Sequence, residues 1–524
     1  MTAANKVALN TIILYGKMLI TMAVSLFSTR LVLNALGAAD FGIFNLIAGV
    51  IALLSFLNVA MTVSTQRFLS YHQGIGNFEM QKKIFKNSWI LHIIIGLFVV
   101  ILLLSLTSFL FNGFLNIPEN KVEIAKYIYY FMAISVFFSI ISVPFTASLN
   151  AHENMLWIAI VNIIEAGIKL AIALSLTWFV QSERLVIYGV LIAGLSLITF
   201  LLYMLYCLKK YKECHISSFK VDMPLIKELG VYAGWNMFGA LCSLSRTQGL
   251  AVVLNIFWGT IINAAYGISN QVAGQVNFLS VTLQRALNPQ IMKSEGMNDR
   301  FRMLKLSMMA CKFGFFLLAL IAVPCIFEMS SILSVWLKRV PEYTIIFCTL
   351  TLVGIMINQL TVGLQSAIQA TGKIKIYQLT VGSVLLFNLP IAYFLLKKGY
   401  PVYFVLISYI CVEIVASLLR LFFAMKIASL SVKTYLKRVL LKSIIPLLVL
   451  ILVCFMVISF SDFEFRFIFT GMFSTIGFVV SIYFFGLCVD EKILVNQILV
   501  KIKKQIRIYK LANNKINEEY NKRS

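Results

Sequence analysis

Apolar runs of bilayer length follow one another along the whole chain, separated by short polar connections. A spanning helix needs roughly 20 apolar residues, and in lipid its backbone must satisfy its own hydrogen bonds. The pattern therefore predicts an all-α membrane protein with about 14 transmembrane helices. The candidate spans are 9–33, 42–65, 88–111, 126–149, 155–180, 185–207, 229–257, 260–284, 306–328, 343–370, 376–396, 402–425, 440–460 and 466–488. Within 229–284 the division rests on Trp258-Gly259, the one turn signal there. The first run is too long for a signal-peptide core and reads as an uncleaved first helix. The connections are too short to hold a folded soluble domain, so the chemistry is expected inside the bundle.

An internal repeat organises these spans. Phe41 to Ser55 aligns with Tyr266 to Ser280, with seven of fifteen positions identical at an offset of 225. Ser142 to Ala151 pairs more weakly with Thr361 to Ala370, at an offset of 219. Two matches at similar offsets point to duplication of a six-helix unit. Six is even, so both copies enter the membrane in the same direction and form parallel lobes that can rock against each other. The expected organisation is a six-helix lobe at 1–207, a linker at 208–228, a second lobe at 229–425, two further helices within 426–488 and a tail at 489–524.

Charge fixes the expected orientation. Lys and Arg outnumber Asp and Glu by 45 to 21, giving a net charge of +24. With the N-terminus in the cytoplasm, the inner segments carry 31 of the cations and the outer loops 6. This positive-inside bias puts both termini in the cytoplasm and accounts for the net charge as contact with anionic lipid heads rather than nucleic acid. In the tail, Leu494, Ile498, Ile502, Ile506 and Tyr509 recur at helical spacing among Lys501, Lys503, Lys504 and Arg507, as in a basic amphipathic helix on the inner surface. Nine scattered cysteines, with no CxxC and no pairing with His, read as small apolar residues, and no metal site is expected.

Ionisable groups inside a membrane are costly and point to cavities or partners. Lys17, Arg30, Lys169, Arg246, Lys312 and Arg420 lie within the spans, against Glu165 and Glu413 as the deep acids. Lys312 and Arg420 sit near inner ends, where snorkelling to the surface explains them. Glu165 and Lys169, four apart, suit either a self-neutralising pair or a cavity wall. Lys17 shares a face with Thr21 and Ser28. Arg246 lies too deep to snorkel easily. Asn263, Gly267, Asn270, Gly274 and Asn277 form a polar stripe, read either as tight helix packing or as a wet wall. Asn236 and Ser243, and Asn358, Thr361, Gln365 and Gln369, make similar faces. Amides both donate and accept, which suits sugars, and Arg offers phosphate two parallel hydrogen bonds. A polar, anionic, sugar-bearing cargo fits this set.

The stretch Ser28-Thr-Arg-Leu-Val-Leu-Asn-Ala-Leu-Gly-Ala-Ala-Asp-Phe-Gly-Ile43 resembles the end of the first helix in polysaccharide flippases of the multidrug/oligosaccharidyl-lipid/polysaccharide exporter superfamily. Length, helix number and the six-plus-six repeat resemble that group over the whole chain. The resemblance implies two lobes in a V shape plus two C-terminal helices. It implies translocation of undecaprenyl-diphosphate-linked oligosaccharide from the cytoplasmic to the periplasmic leaflet of a bacterial inner membrane, for O-antigen or capsule assembly. Arg30 matches that group's first-helix arginine, and Arg246 has a comparable place. On chemistry alone Lys17, Lys169, Asn263, Asn270 and Asn277 join them as substrate-binding candidates. No cofactor is implied, although some members are coupled to a proton or sodium gradient, a role that Glu165 or Glu413 could carry. Membrane lipids, a polymerase and a chain-length regulator are the implied partners.

Other readings stay open. A peptidoglycan-precursor flippase would share a cation-lined cavity. A cation-coupled multidrug antiporter of the same fold should instead show acids in the first lobe. A glycosyltransferase or polymerase would need a sizeable outer loop, and no such loop is visible in the sequence. The chain is not expected to be an enzyme.

Overall fold

The computed structural model describes residues 3–493 except 53, 116, 179–182, 216–220, 338–339 and 461–464, and it also describes 495–496. The amphipathic tail expected beyond residue 496 lies outside these residues. Among the described residues every element is helical. The first lobe comprises α1 (Ala3–Ala52), α2 (Ser55–Ile75), α3 (Phe78–Phe109), α4 (Val122–Ile141), α5 (Val143–Ala151), α6 (Met155–Trp178) and α7 (Arg184–Lys210). The second comprises α8 (Met223–Gly296), α9 (Arg300–Phe327), the short α10 (Met329–Leu337), α11 (Thr344–Thr371), α12 (Lys375–Lys397) and α13 (Phe404–Ala428). A last hairpin is made by α14 (Val432–Tyr435), α15 (Leu441–Phe460) and α16 (Arg466–Ser481).

Twelve of these helices are long and apolar enough to cross a bilayer. One of them, α8, has 74 residues, about 110 Å at 1.5 Å per residue, which is far more than one crossing requires. Gly259 breaks it, with φ 75° and ψ −166°. The chain folds back there, and the Tyr266 hydroxyl donates to the Thr247 carbonyl at 3.4 Å. In α1, Gly37 breaks the helix in the same conformation, with φ 77° and ψ 166°. A side chain is strongly disfavoured in that region of backbone space, so glycine is the residue that can serve. The second half of α1 and α2 together make the return crossing. Among the described residues these breaks turn the twelve long apolar helices into fourteen candidate crossings, and the same glycine conformation recurs in each lobe, at Gly37 and Gly259. Pro144 opens α5, and the fourth crossing bends there.

Packing repeats with the sequence. Helix α1 packs on α6 as the first half of α8 packs on α12, and α4 packs on α7 as α11 packs on α13. Both lobes start from one face, which carries the N-terminus and the cation-rich connections and is called the basic face below. The segments 66–87 and 285–305 were expected to be loops there. They are instead helical extensions, turning only around Gly76-Asn77 and Met297 to Asp299. Asn77 accepts from the Met80 amide and Asp299 from the Arg302 amide, each capping the helix that follows.

These extensions lock the lobes together. At Gly74 a Cβ would lie 2.3 Å from the Lys293 carbonyl oxygen, and at Gly296 it would lie 2.0 Å from that of Tyr71. Beside this contact Glu153 is buried, and its carboxylate accepts from Gln290 Nε2 and Lys293 Nζ, both at 2.7 Å. Arg67 of α2 reaches across to the Ala370 carbonyl, with Nη2 at 3.1 Å. The Tyr15 hydroxyl donates to Leu279 of α8 at 2.9 Å. All of these crossings lie toward the basic face, so the lobes are closed there.

The last hairpin docks on α9 at both ends. On the basic face the Lys312 ammonium is buried against Glu491 and the Gly486 carbonyl. At the other end Glu328 accepts from Arg466 Nε and the Thr470 hydroxyl, both at 2.8 Å. Lys312 therefore does not snorkel. It finds a buried carboxylate that the sequence places 179 residues away.

Candidate functional site

Each lobe has a polar chamber, closed on one side by residues of the other lobe. The first, about 580 Å³, is walled by α1 and α6 of the first lobe and by Gln275 and Phe278 of α8. Lys17, Thr21 and Ser28 line it from one face of α1, together with Asn45, Asn162 and Tyr188. Glu165 and Lys169 also face it, joined at 2.7 Å as an i, i+4 pair and both partly open to the cavity. Lys17 has Arg285 of α8 and Glu165 as charged neighbours. This chamber therefore holds two ammonium groups and one carboxylate.

The second chamber lies in the other lobe, as two adjoining hollows of about 290 Å³ each that share Ser243, Arg246 and Asn358. Val59, Ala60 and Val63 of α2 close one side. At its base Glu413 is fully buried. Its Oε2 accepts from Arg246 Nη1 at 2.7 Å. Its Oε1 accepts from Arg420 Nη1 at 3.0 Å and from Asn358 Nδ2 at 2.6 Å. Two guanidinium groups thus share one carboxylate, leaving one net positive charge. Arg246 also sits over the Tyr409 ring at 4.7 Å. Its Nε, and that of Arg420, has no hydrogen-bond partner. Buried donors of this kind are costly to leave unmet.

The α8 stripe is open. Asn270, Gly274 and Asn277 line the second chamber, and a Cβ at Gly267 or Gly274 would meet nothing within 4 Å. Close packing through small residues would put neighbouring atoms there, and these two glycines have none. Another amide group is partly self-satisfied, because Asn236 Oδ1 accepts from Gln369 and Gln378, each at 3.1 Å.

Of the sequence candidates, Lys17, Lys169 and Glu165 come together in one chamber, and Arg246, Asn270, Asn277 and Glu413 in the other. Arg30 and Asn263 do not join them. Arg30 is exposed, and neither residue lines these chambers. Arg420 was expected to snorkel, but it is buried beside Glu413. The sequence reading also missed the tie between Glu413 and Arg246, and it missed Arg285, Asn45, Asn162 and Gln275.

Two six-helix lobes, in parallel and each with a polar chamber, make up an all-helical membrane fold that the chain shares with solved transporter structures. The MatE family model matches residues 14–174, through most of α6. A MOP superfamily transporter from Pyrococcus furiosus is similar in structure, with a TM-score of 0.70 at 15% identity, covering 82% of this chain and 95% of that one. An outward-facing multidrug resistance MATE family transporter gives 0.69 at 15% identity, covering 82% and 96%. A MATE transporter in its straight conformation gives the same figures, 0.69 at 15% identity with 82% and 96% covered. At this identity the likeness establishes the fold. No curated protein matches the chain.

Proposed function

We propose that this protein is an alternating-access transporter whose cargo carries an anionic, sugar-bearing head. The cargo that fits best is undecaprenyl-diphosphate-linked oligosaccharide, moved from the cytoplasmic to the periplasmic leaflet of a bacterial inner membrane for O-antigen or capsule assembly. The observation that carries this reading is the charge of the chambers: Lys17 and Lys169 against Glu165 in one, Arg246 and Arg420 against Glu413 in the other. Each has one cation in excess, and an anionic head is attracted where a cationic drug is repelled. The Nε–H groups of Arg246 and Arg420 have no partner among the described residues, and the Asn270–Asn277 wall offers sugars paired donors and acceptors. The basic face is then cytoplasmic, and the closed state opens away from it. A polymerase and a chain-length regulator would receive the product.

A second reading is favoured by different observations. One matching structure is of a multidrug resistance transporter, and Glu165 lies open to the first chamber as a cation-attracting carboxylate. On that reading the protein exchanges cationic drugs for protons or sodium. Under either reading, Glu165 is the better coupling residue, because both oxygens of Glu413 are already taken by donors. Cells carrying Lys17→Gln with Arg246→Gln at normal membrane levels should lose surface polysaccharide and keep their resistance to cationic dyes. The converse result would select the drug antiporter.

A further inference from the structure

A third cavity, about 930 Å³ and separate from both chambers, opens on the basic face between α2, the start of α8, the α11–α12 connection and the end of α13. Its walls are apolar and aromatic. Trp235, Tyr232 and Phe423 line it, and Val231, Ile376 and Phe422 continue its wall outward as exposed side chains. Its rim is cationic: the exposed Lys373, Lys375 and Lys426 face one acid, Glu228, and Arg67 is buried in its inner wall against the Ala370 carbonyl. Among the described residues none of these four cations is in an ion pair. Lys375 instead lies 5.6 Å over the Trp235 ring, and Lys426 lies 4.7 Å over that of Phe422.

Scattered lysines on this face are explained by the positive-inside bias. Three converging on one concave, aromatic-walled space, with Arg67 behind them, are not. Nor does helix stability explain Lys375. It is the first residue of α12, where a cation opposes the helix dipole, and that first turn has neither a side-chain cap nor an acid. The combination suits an amphiphile at the membrane surface, whose negative head would meet the lysines while its chain lies along the exposed apolar wall. A soluble anion would leave that wall bare, and a neutral lipid would leave the cations unmatched.

We propose that this crevice is a binding site for an anionic phospholipid of the inner leaflet, distinct from the cargo path. Because it joins α2 of one lobe to α8, α12 and α13 of the other, a lipid seated there bridges the lobes in the closed state.

The test uses the full chain in phosphatidylcholine nanodiscs doped with brominated phosphatidylglycerol. Bromine quenches nearby tryptophan, and the Trp235 signal is the difference between the wild type and Trp235→Phe. Each cation beside an anionic surface is worth roughly a fivefold change in affinity, so the preference for phosphatidylglycerol over brominated phosphatidylcholine should fall by more than about tenfold in K373Q/K375Q/K426Q. K373R/K375R/K426R should keep the preference. Equal quenching by the two lipids in the wild type would overturn the proposal, even if the glutamine variant fails to fold. Retained preference in the glutamine variant would overturn it as well, and so would displacement of the lipid by soluble glycerol phosphate, which has a head and no chain.

Discussion

Glu413→Gln is the most informative single substitution in the second lobe. In the native protein one carboxylate, fully buried, neutralises one of two guanidinium groups whose side chains are at most 9% exposed. Removing its charge leaves Arg246 and Arg420 facing each other in a buried site with no counter-charge. Breaking a buried pair from one side costs about 3–5 kcal/mol. Arg246→Gln is different, because Glu413 keeps Arg420 and Asn358 and the site becomes neutral. Its cost is the loss of one hydrogen bond to a charged group, about 1.5–3 kcal/mol. The carboxylate variant should therefore be the more damaging of the two, and adding Arg246→Gln to it should recover part of the loss. Unfolding in mixed micelles of a denaturing detergent, followed by near-UV circular dichroism, measures both singles and the double. If Arg246→Gln proved the costlier change, or the double fell by the sum of the singles, the shared-carboxylate argument would fail.

Gly296→Ala should force α2 and α8 apart, since the new Cβ would lie 2.0 Å from the Tyr71 carbonyl oxygen. A cysteine placed in the first chamber should then label faster from the basic face than in the parent, while an unchanged rate would place the seal elsewhere. In the connection after α7, burial raises the Glu213 carboxyl, but hydrogen bonding and charge from His152 and the Ser148 hydroxyl outweigh it and hold the group below the usual carboxylate range. A depressed carboxyl stabilises the fold above its unfolded-state pKa and loses that contribution as pH falls through the folded value. The wild type should therefore melt above Glu213→Gln at neutral pH, with the gap closing on acidification; a gap that widened would refute the assignment.

Much of the architecture was legible in the sequence, because bilayer thickness sets run length and the repeat carried Gly and Asn as well as apolar residues. The seal was not legible: residues 66–75 and 285–296 are too polar for a span, although they continue the helices beyond it. Arg30 was misplaced despite a usable signal. On a helix it lies roughly 200° from Ser28, on the opposite side from the Lys17, Thr21 and Ser28 stripe. Arg420 could have been placed beside Glu413, seven residues earlier on the same helix face. Arg246 could not, because the fold alone brings it to Glu413 across 167 residues.

The central claim is that positively lined chambers, one in each of two parallel lobes, carry a negatively charged lipid head across the membrane. Purified protein in liposomes, given a fluorescent polyprenyl-diphosphate sugar in one leaflet, tests it most directly. Faster transfer to the other leaflet than in protein-free liposomes, lost in Lys17→Gln with Arg246→Gln and unaffected by Arg30→Gln, is the predicted result. No transfer of this lipid, together with gradient-driven movement of a cationic dye by the same preparation, would contradict it.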